Sequence, residues 1–246
     1  MSYVDAIASV SAGAVAEFVM LPVCTVQTVY QTQKNLGNLD RSGIMKVTSD
    51  LFRNYGVRAF YNASLSAIVC QMVSTGSKFT LYKTFQQYRG TDVNDVWNNM
   101  LNGGMAGVTS VAFTQPFDVM KTYHQRQMSI LPELKRNPLV LYAGSKQAMT
   151  KSAMLVASLF SVNDLCRTYI DNAALAAMMT SLLISPIIHP IDLLKRRAMA
   201  GERLWMGFNL KHYYRGMFLN WTRSMPHFAI SMMTIDYVKG VLDRKN

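Results

Sequence analysis

The residues that could do chemistry lie on a repeated frame. Three prolines, Pro22, Pro116 and Pro190, are each followed at the second and fifth positions by a polar or charged pair: Cys24 and Gln27, Asp118 and Lys121, Asp192 and Lys195. Side chains three apart share a helical face, so the acid and the base of each frame point the same way. A second frame carries Lys83 with Gln86, Asp164 with Arg167, and Asp236 with Lys239, again three apart. Bond-making chemistry is not indicated. Cys24, Cys70 and Cys166 are scattered, no Cys and His cluster has metal-ligand spacing, and no glycine-rich loop follows a strand. No enzyme, cofactor or metal site is therefore expected. The chemistry on offer is reversible charge pairing in apolar surroundings.

The elements that must position these charges are long apolar stretches. Residues 59–77, 96–117 and 172–191 contain no Asp, Glu, Lys or Arg, and residues 6–33 contain one, Glu17. Each is long enough to cross a bilayer as a helix. Two shorter stretches, 152–163 and 224–235, are bracketed by Lys151 with Asp164 and by Arg223 with Asp236. A buried soluble helix explains these two, and so does a membrane helix whose charges face a cavity. The count is six candidate spans, with no secretory signal or transit peptide expected ahead of the first. The connections alternate in charge. Segments 34–58, 126–143 and 196–215 hold five, three and five basic residues against two, one and one acidic, whereas 83–95 has two of each and 164–171 one basic and two acidic. That pattern predicts basic loops on one side and both termini on the other.

Composition agrees. Of 246 residues, 50% are hydrophobic and 16% are charged, with a formal net charge of +11. So apolar a chain can bury a core, which excludes disorder, and three cysteines cannot all pair, which excludes a disulfide scaffold. Nucleic-acid binding is not expected, because the charge surplus collects in three loops of one side. A mean hydropathy of +0.09 is low for a bundle that faces only lipid and high for a soluble domain. A membrane protein with a wet, polar interior fits both.

The stretches repeat. Around the second proline the chain reads Pro116-Phe117-Asp118-Val119-Met120-Lys121, and around the third Pro190-Ile191-Asp192-Leu193-Leu194-Lys195. Around the first it reads Pro22-Val23-Cys24-Thr25-Val26-Gln27, the same frame without its charges. A second element recurs as Phe60-Tyr61-Asn62-Ala63, Leu141-Tyr142-Ala143-Gly144 and Tyr213-Tyr214-Arg215-Gly216. Twenty residues after each of its last positions stand Lys83, Asp164 and Asp236. Small residues, Ser9 with Gly13, Gly103 with Gly107 and Ala177 with Ser181, lie 13 and 9 positions before the prolines. Four-residue spacing of small side chains lets membrane helices approach closely. This pattern resembles the mitochondrial carrier family along nearly the whole chain. The third repeat matches best and the first is degenerate; proline spacings of 94 and 74 residues make the later repeats short.

The resemblance implies an all-α membrane protein, six transmembrane helices in three pseudo-threefold repeats around a central cavity. One carrier domain would cover 1–246, with repeats of approximately 1–92, 93–170 and 171–246. Pro22, Pro116 and Pro190 would kink the odd helices so that they converge at the matrix side. There each acid would pair with the base of the next odd helix: Asp118 with Lys195 as an ion pair, Asp192 with Gln27 as a hydrogen bond, and Cys24 with Lys121 as neither. A cytoplasmic-side ring would pair Asp164 with Lys239 and Asp236 with Gln86, and would set Lys83 against Arg167. Both rings would thus keep one ion pair of three and lose strength at repeat one. The substrate contacts carried over from the family are Cys70 with Gln71, Lys151 with Ser152, and Arg223 with Ser224. Fixed cations at membrane depth predict an anion. His227, one turn from Arg223, is an extra donor or a packed histidine, and Lys78 is a third cavity cation or a snorkelling side chain. Glu17 is a proton-coupling group, an internal partner for Lys151 or Arg223, or a helix-packing acid. The run Lys195-Arg196-Arg197 is similar to that of nucleotide carriers. The resemblance therefore implies a monomeric antiporter of the mitochondrial inner membrane, multi-pass, with both termini on the cytoplasmic side and with bilayer lipid, anionic cardiolipin included, as its surroundings. The cargo would be a nucleotide first, or a carboxylate or acidic amino acid. A non-transporting scaffold is the alternative that the degenerate first repeat favours.

Overall fold

The computed structural model describes residues 3–33, 41–89, 96–169 and 173–243. Among these, six helices are long: α1 (Tyr3–Gln31), α4 (Ser64–Arg89), α5 (Val96–Gln125), α7 (Ser145–Tyr169), α8 (Ala173–Met199) and α10 (Met217–Asp243). Between them lie short ones, α2 (Arg41–Tyr55), α3 (Arg58–Tyr61), α6 (Leu131–Arg136), a 3-10 turn at Pro138–Tyr142, and α9 (Leu210–Tyr213). The fold class is all-α, as the sequence predicts. Each third of the chain is a long helix, a short connecting helix or two, and a second long helix.

Consecutive long helices pack side by side, and α10 returns to α1, so the six close into a ring; the α8–α10 seam is the thinnest. Outward faces are apolar. On α8, Leu175, Met179, Leu183 and Ile187 form an exposed stripe at four-residue spacing, and on α5 Leu101, Met105 and Phe113 do the same. The interior is polar: Thr25, Gln27, Gln31, Asn102 and Gln115 are completely buried. This inverts the usual soluble pattern and accounts for the middling hydropathy. By length and hydropathy alone, only α1, over Ala8–Gln31, is apolar enough to cross a membrane among the described residues. The other long helices carry their inward-facing polar residues in the same averaging window, which lowers the mean although 25 to 30 residues suffice in length.

The helices run unbroken through Pro22, Pro116 and Pro190. Two apolar cores tie the connecting helices to this end of the ring. In one, Ile44, Val47 and Leu51 of α2 pack on Val26 and Tyr30 of α1 and Leu219 of α10. In the other, Ile130 and Leu141 pack on Val119 and Tyr123 of α5 and Met199 of α8. Each core joins two different repeats. Of the small residues, Gly13 faces Gln71 and Gly107 faces Ser152, where an added Cβ would come within 2.7 and 3.6 Å; at Gly103 the space is open. Close helix approach thus explains Gly13; at Gly107 an added Cβ would make only ordinary contact, and Gly103 is not explained.

Gly144 and Gly216, which end the second repeated element, have φ of +80° and +77°. They turn the chain sharply into α7 and α10. A Cβ on Gly144 would also stand 3.0 Å from the Lys195 carbonyl oxygen. Repeat one has Ala63 here, outside the left-handed region, because α3 leads into α4 through a right-handed turn. Gly144→Ala is expected to cost about 2 kcal/mol, since left-handed backbone and a tight contact add. Ala63→Gly is expected to cost about 1 kcal/mol or less. Thermal unfolding in detergent checks the pair, and equal losses would contradict the assignment.

Candidate functional site

The polar residues meet at the end of the ring where the connecting helices sit. Lys195 of α8 donates to Asp118 Oδ2 of α5 at 2.6 Å, the pairing that the frame implies. The other two implied pairings are not formed. Asp192 accepts from Lys151 of α7 at 2.5 Å and from Arg196, one turn on, at 3.5 Å. Gln27 instead donates to Asn220 Oδ1 of α10 at 3.4 Å. The reason is charge: an amide competes poorly for a buried carboxylate when two cations are in reach. Nor does Cys24 face Lys121 as a missing contact, because Lys121 pairs with Glu17 of α1. Glu17, 3% exposed, also lies 3.9 Å from Arg223 and 3.8 Å from His227. Its internal partners are thus Lys121, Arg223 and His227, and not Lys151. This set of ion pairs therefore does not weaken at repeat one: three carboxylates, Glu17, Asp118 and Asp192, are each held by a lysine from another helix.

The contact positions are tied to this set in threefold fashion. Cys70 Sγ of α4 donates to Asp118 at 3.0 Å, Lys151 of α7 donates to Asp192, and Arg223 Nη1 of α10 donates to Cys24 Sγ at 3.6 Å. In each case the even-helix residue reaches the position two after the proline of the next odd helix. Gln71 packs on Gly13 and donates to Thr75 at 3.4 Å, Ser152 lies beside Gly107, and Ser224 donates back to the Asn220 carbonyl at 2.8 Å. Lys78 is exposed, feels the charges of Lys151, Asp118 and Lys195, and forms no ion pair among the described residues.

A cavity of about 230 Å³ opens between α7, α8 and α10, lined by Lys151, Ser185, His189, Asp192, Arg223 and Ser224 among others. It is smaller than ordinary ligand pockets of about 300–1,000 Å³, and the joined Lys151 and Asp192 occupy its wall. His189 was not foreseen from the sequence. Its ring is 1% exposed, is bonded through Nε2 to the Arg215 carbonyl oxygen at 3.1 Å and is stacked on Tyr214. Its position just before Pro190 is the one signal that could have marked it. Buried amides also bridge elements at this end of the ring. Gln125 accepts from Thr28 at 2.7 Å, Gln31 donates to the Arg215 carbonyl at 3.2 Å, and Gln115 donates to the Ala143 carbonyl at 2.5 Å. The basic run after Pro190 is spent on the protein itself. Lys195 holds Asp118, Arg196 holds Asp192 and Thr28, and Arg197 donates to the Gln31, Gln33 and Arg203 carbonyls. The run therefore gives no argument for a polyphosphate.

At the opposite end, Lys83 is exposed and lies over the Phe79 ring, 4.6 Å from its centroid. Gln86 is half-buried. The side chains of Asp164, Arg167, Asp236 and Lys239 lie outside the described residues, although all four positions are helical. Tyr82 donates to Asn99 at 3.2 Å and Arg89 donates to Asn98 at 2.9 Å, tying α4 to α5 there.

Comparison with known proteins places this geometry. Residues 2–93 and 92–174 each match the family described as mitochondrial carrier protein. A mitochondrial carrier-like protein of Acanthamoeba polyphaga mimivirus is 33% identical over 239 residues, 96% of each chain. The mitochondrial thiamine pyrophosphate carrier 1 of Meyerozyma guilliermondii is 22% identical, covering 96% of this chain and 93% of that one. The chloroplastic thylakoid ADP,ATP carrier of Arabidopsis thaliana is 21% identical over 94% of this chain and 64% of its own length. The family match over more than half of the sequence, and the full-length relative at one-third identity, agree with a ring of six helices closed by charge pairs at one end: the chain belongs to the mitochondrial carrier family.

Proposed function

We propose that the chain exchanges an anionic metabolite across the mitochondrial inner membrane by alternating access. The supporting observation is the pair of cations, Lys151 and Arg223, on the wall of one cavity in a helix ring that faces outward with apolar stripes. Cations at that depth are costly without counter-charge, and each is now held only by groups that an incoming anion could replace. Arg223 offers a planar fork for phosphate or carboxylate, and Lys151 a point charge. Two of the relatives are named for thiamine pyrophosphate and for ADP and ATP. Both cargoes carry linked phosphates, so a phosphate-bearing metabolite, a nucleotide first, is the favoured class, with carboxylates second.

In this reading, three repeats of approximately 1–92, 93–170 and 171–246 each supply one pair of spanning helices. Glu17, Asp118, Lys121, Asp192 and Lys195 close the matrix side. Asp164, Arg167, Asp236 and Lys239, with Lys83 and Gln86, would close the other side when the cavity turns. Both termini face the intermembrane space, and the basic connecting helices face the matrix, where anionic lipid such as cardiolipin would meet them.

Purified protein in liposomes is expected to exchange at least one of ADP, ATP or thiamine pyrophosphate. Lys151→Ala and Arg223→Ala are each expected to lower the rate about tenfold or more, the effect of losing about 1.4 kcal/mol of charge pairing. Unchanged rates for every accepted anion would refute the site, and no uptake by demonstrably folded protein would favour the scaffold reading. For orientation, a cysteine placed at Met45 on α2 (72% exposed) and one placed at Asn246 are expected to react with an impermeant maleimide from opposite faces of the membrane, in a chain cleared of Cys24, Cys70 and Cys166.

A further inference from the structure

Glu17 answers a question that the repeats pose. Threefold register puts Lys121 opposite position 24, and position 24 is a cysteine. A thiol cannot hold a lysine as a carboxylate does. Glu17 stands seven residues earlier, two helical turns along the same face of α1, and its two oxygens serve two different helices. Oε1 takes Lys121 of α5, while Oε2 lies 3.9 Å from Arg223 and 3.8 Å from His227, both on α10. One buried carboxylate thus holds a closing cation with one oxygen and a binding cation with the other. Asp118 and Asp192 do not combine the roles in this way: Asp118 holds one cation and a neutral thiol, and Asp192 holds Lys151 and its own helix's Arg196.

We propose that Glu17 is the matrix-side closing acid of repeat one, moved two turns toward the cavity, and the counter-ion that an incoming anion displaces from Arg223. The inference rests on the carrier reading above and deepens it. While the cavity is empty, Glu17 ties α1 to both α5 and α10. An anion that takes Arg223 and His227 frees α10 from Glu17 and leaves the closure at repeat one to Lys121 alone. Binding of cargo and release of the closed end then share one side chain. Glu17 is a positioning residue in this account, and its charge sets how strongly an anion must compete.

The test uses full-length protein in detergent with inorganic pyrophosphate as probe, since it carries the linked phosphates without a base or ring. Glu17→Gln removes the competitor of the anion as well as the tie between helices. Its ligand-free melting temperature is expected to fall by about 5 °C. Its half-saturating pyrophosphate concentration, read from thermal stabilisation, is expected to fall about tenfold. Cys24→Asp, which places a carboxylate at the frame position beside Arg223, is expected to recover the melting temperature in the Glu17→Gln background. On the native background, Cys24→Asp should keep the melting temperature and raise the half-saturating concentration, and this variant decides the matter if Glu17→Gln does not fold. A glutamate that merely packs would lower the melting temperature and leave pyrophosphate affinity unchanged or weaker, and that result overturns displacement. Failure of Cys24→Asp to recover the melting temperature overturns the role of relocated acid. If the unaltered protein is stabilised by neither pyrophosphate, ADP nor thiamine pyrophosphate, the phosphate-cargo reading fails and displacement by phosphate with it, and the ligand-free melting comparison still decides whether Glu17 stands in for the missing acid.

Discussion

A charge inside a helix ring with an apolar exterior must have a counter-charge, and the interior of this chain is arranged around that constraint. Removing one partner of a buried pair costs about 3–5 kcal/mol, whereas the intact pair gains little over an apolar replacement. Such pairs are therefore poor glue and good latches. They hold firmly while both partners are present, and they open at low cost when another charge takes one partner's place. Lys121, Lys151 and Lys195 each sit on a carboxylate from another helix. These pairs join α5 to α1, α7 to α8 and α8 to α5.

The rest of the fold serves that arrangement. Two apolar cores fasten the connecting helices across repeat boundaries, so the ends of α1, α5 and α8 are braced by elements of other repeats. Gly144 and Gly216 bring the chain back sharply enough to start α7 and α10 beside those ends. The contact positions then fall one layer from the closing acids, and Cys70, Lys151 and Arg223 reach Asp118, Asp192 and Cys24 directly. The proposed binding groups and the proposed closing positions are in hydrogen-bond contact, with no intervening layer.

The helices and their order were legible in the sequence because apolar stretches and their repeated prolines are local signals. The Asp118–Lys195 pair was legible through the family resemblance, which pairs these two frame positions. What the frame could not supply was the choice among competing partners. Asp192 has Lys151, Arg196 and Gln27 in prospect, and only three-dimensional proximity decides that the two cations win. Glu17 stands off the frame, so the degenerate look of repeat one concealed a carboxylate two turns away. His189 was missed because a histidine beside a proline on an apolar helix carries no periodic signature.

The buried amides at this end of the ring follow the same logic in neutral form. Gln27, Gln31, Gln115 and Gln125 are essentially inaccessible, and each leaves one amide atom, Oε1 in the first three and Nε2 in the fourth, without a hydrogen-bond partner among the described residues. A buried amide so half-satisfied gives up part of its hydration and recovers only some of it. In a rigid protein that is a flaw. In the proposed exchange cycle it would be a balance, because each unmatched atom would regain water as the helices separate. The proposed closed end would then be held by three ion pairs together with amides that resist parting weakly. Weak resistance suits that proposal, since a small anion can shift an equilibrium only by its differential affinity for the two states.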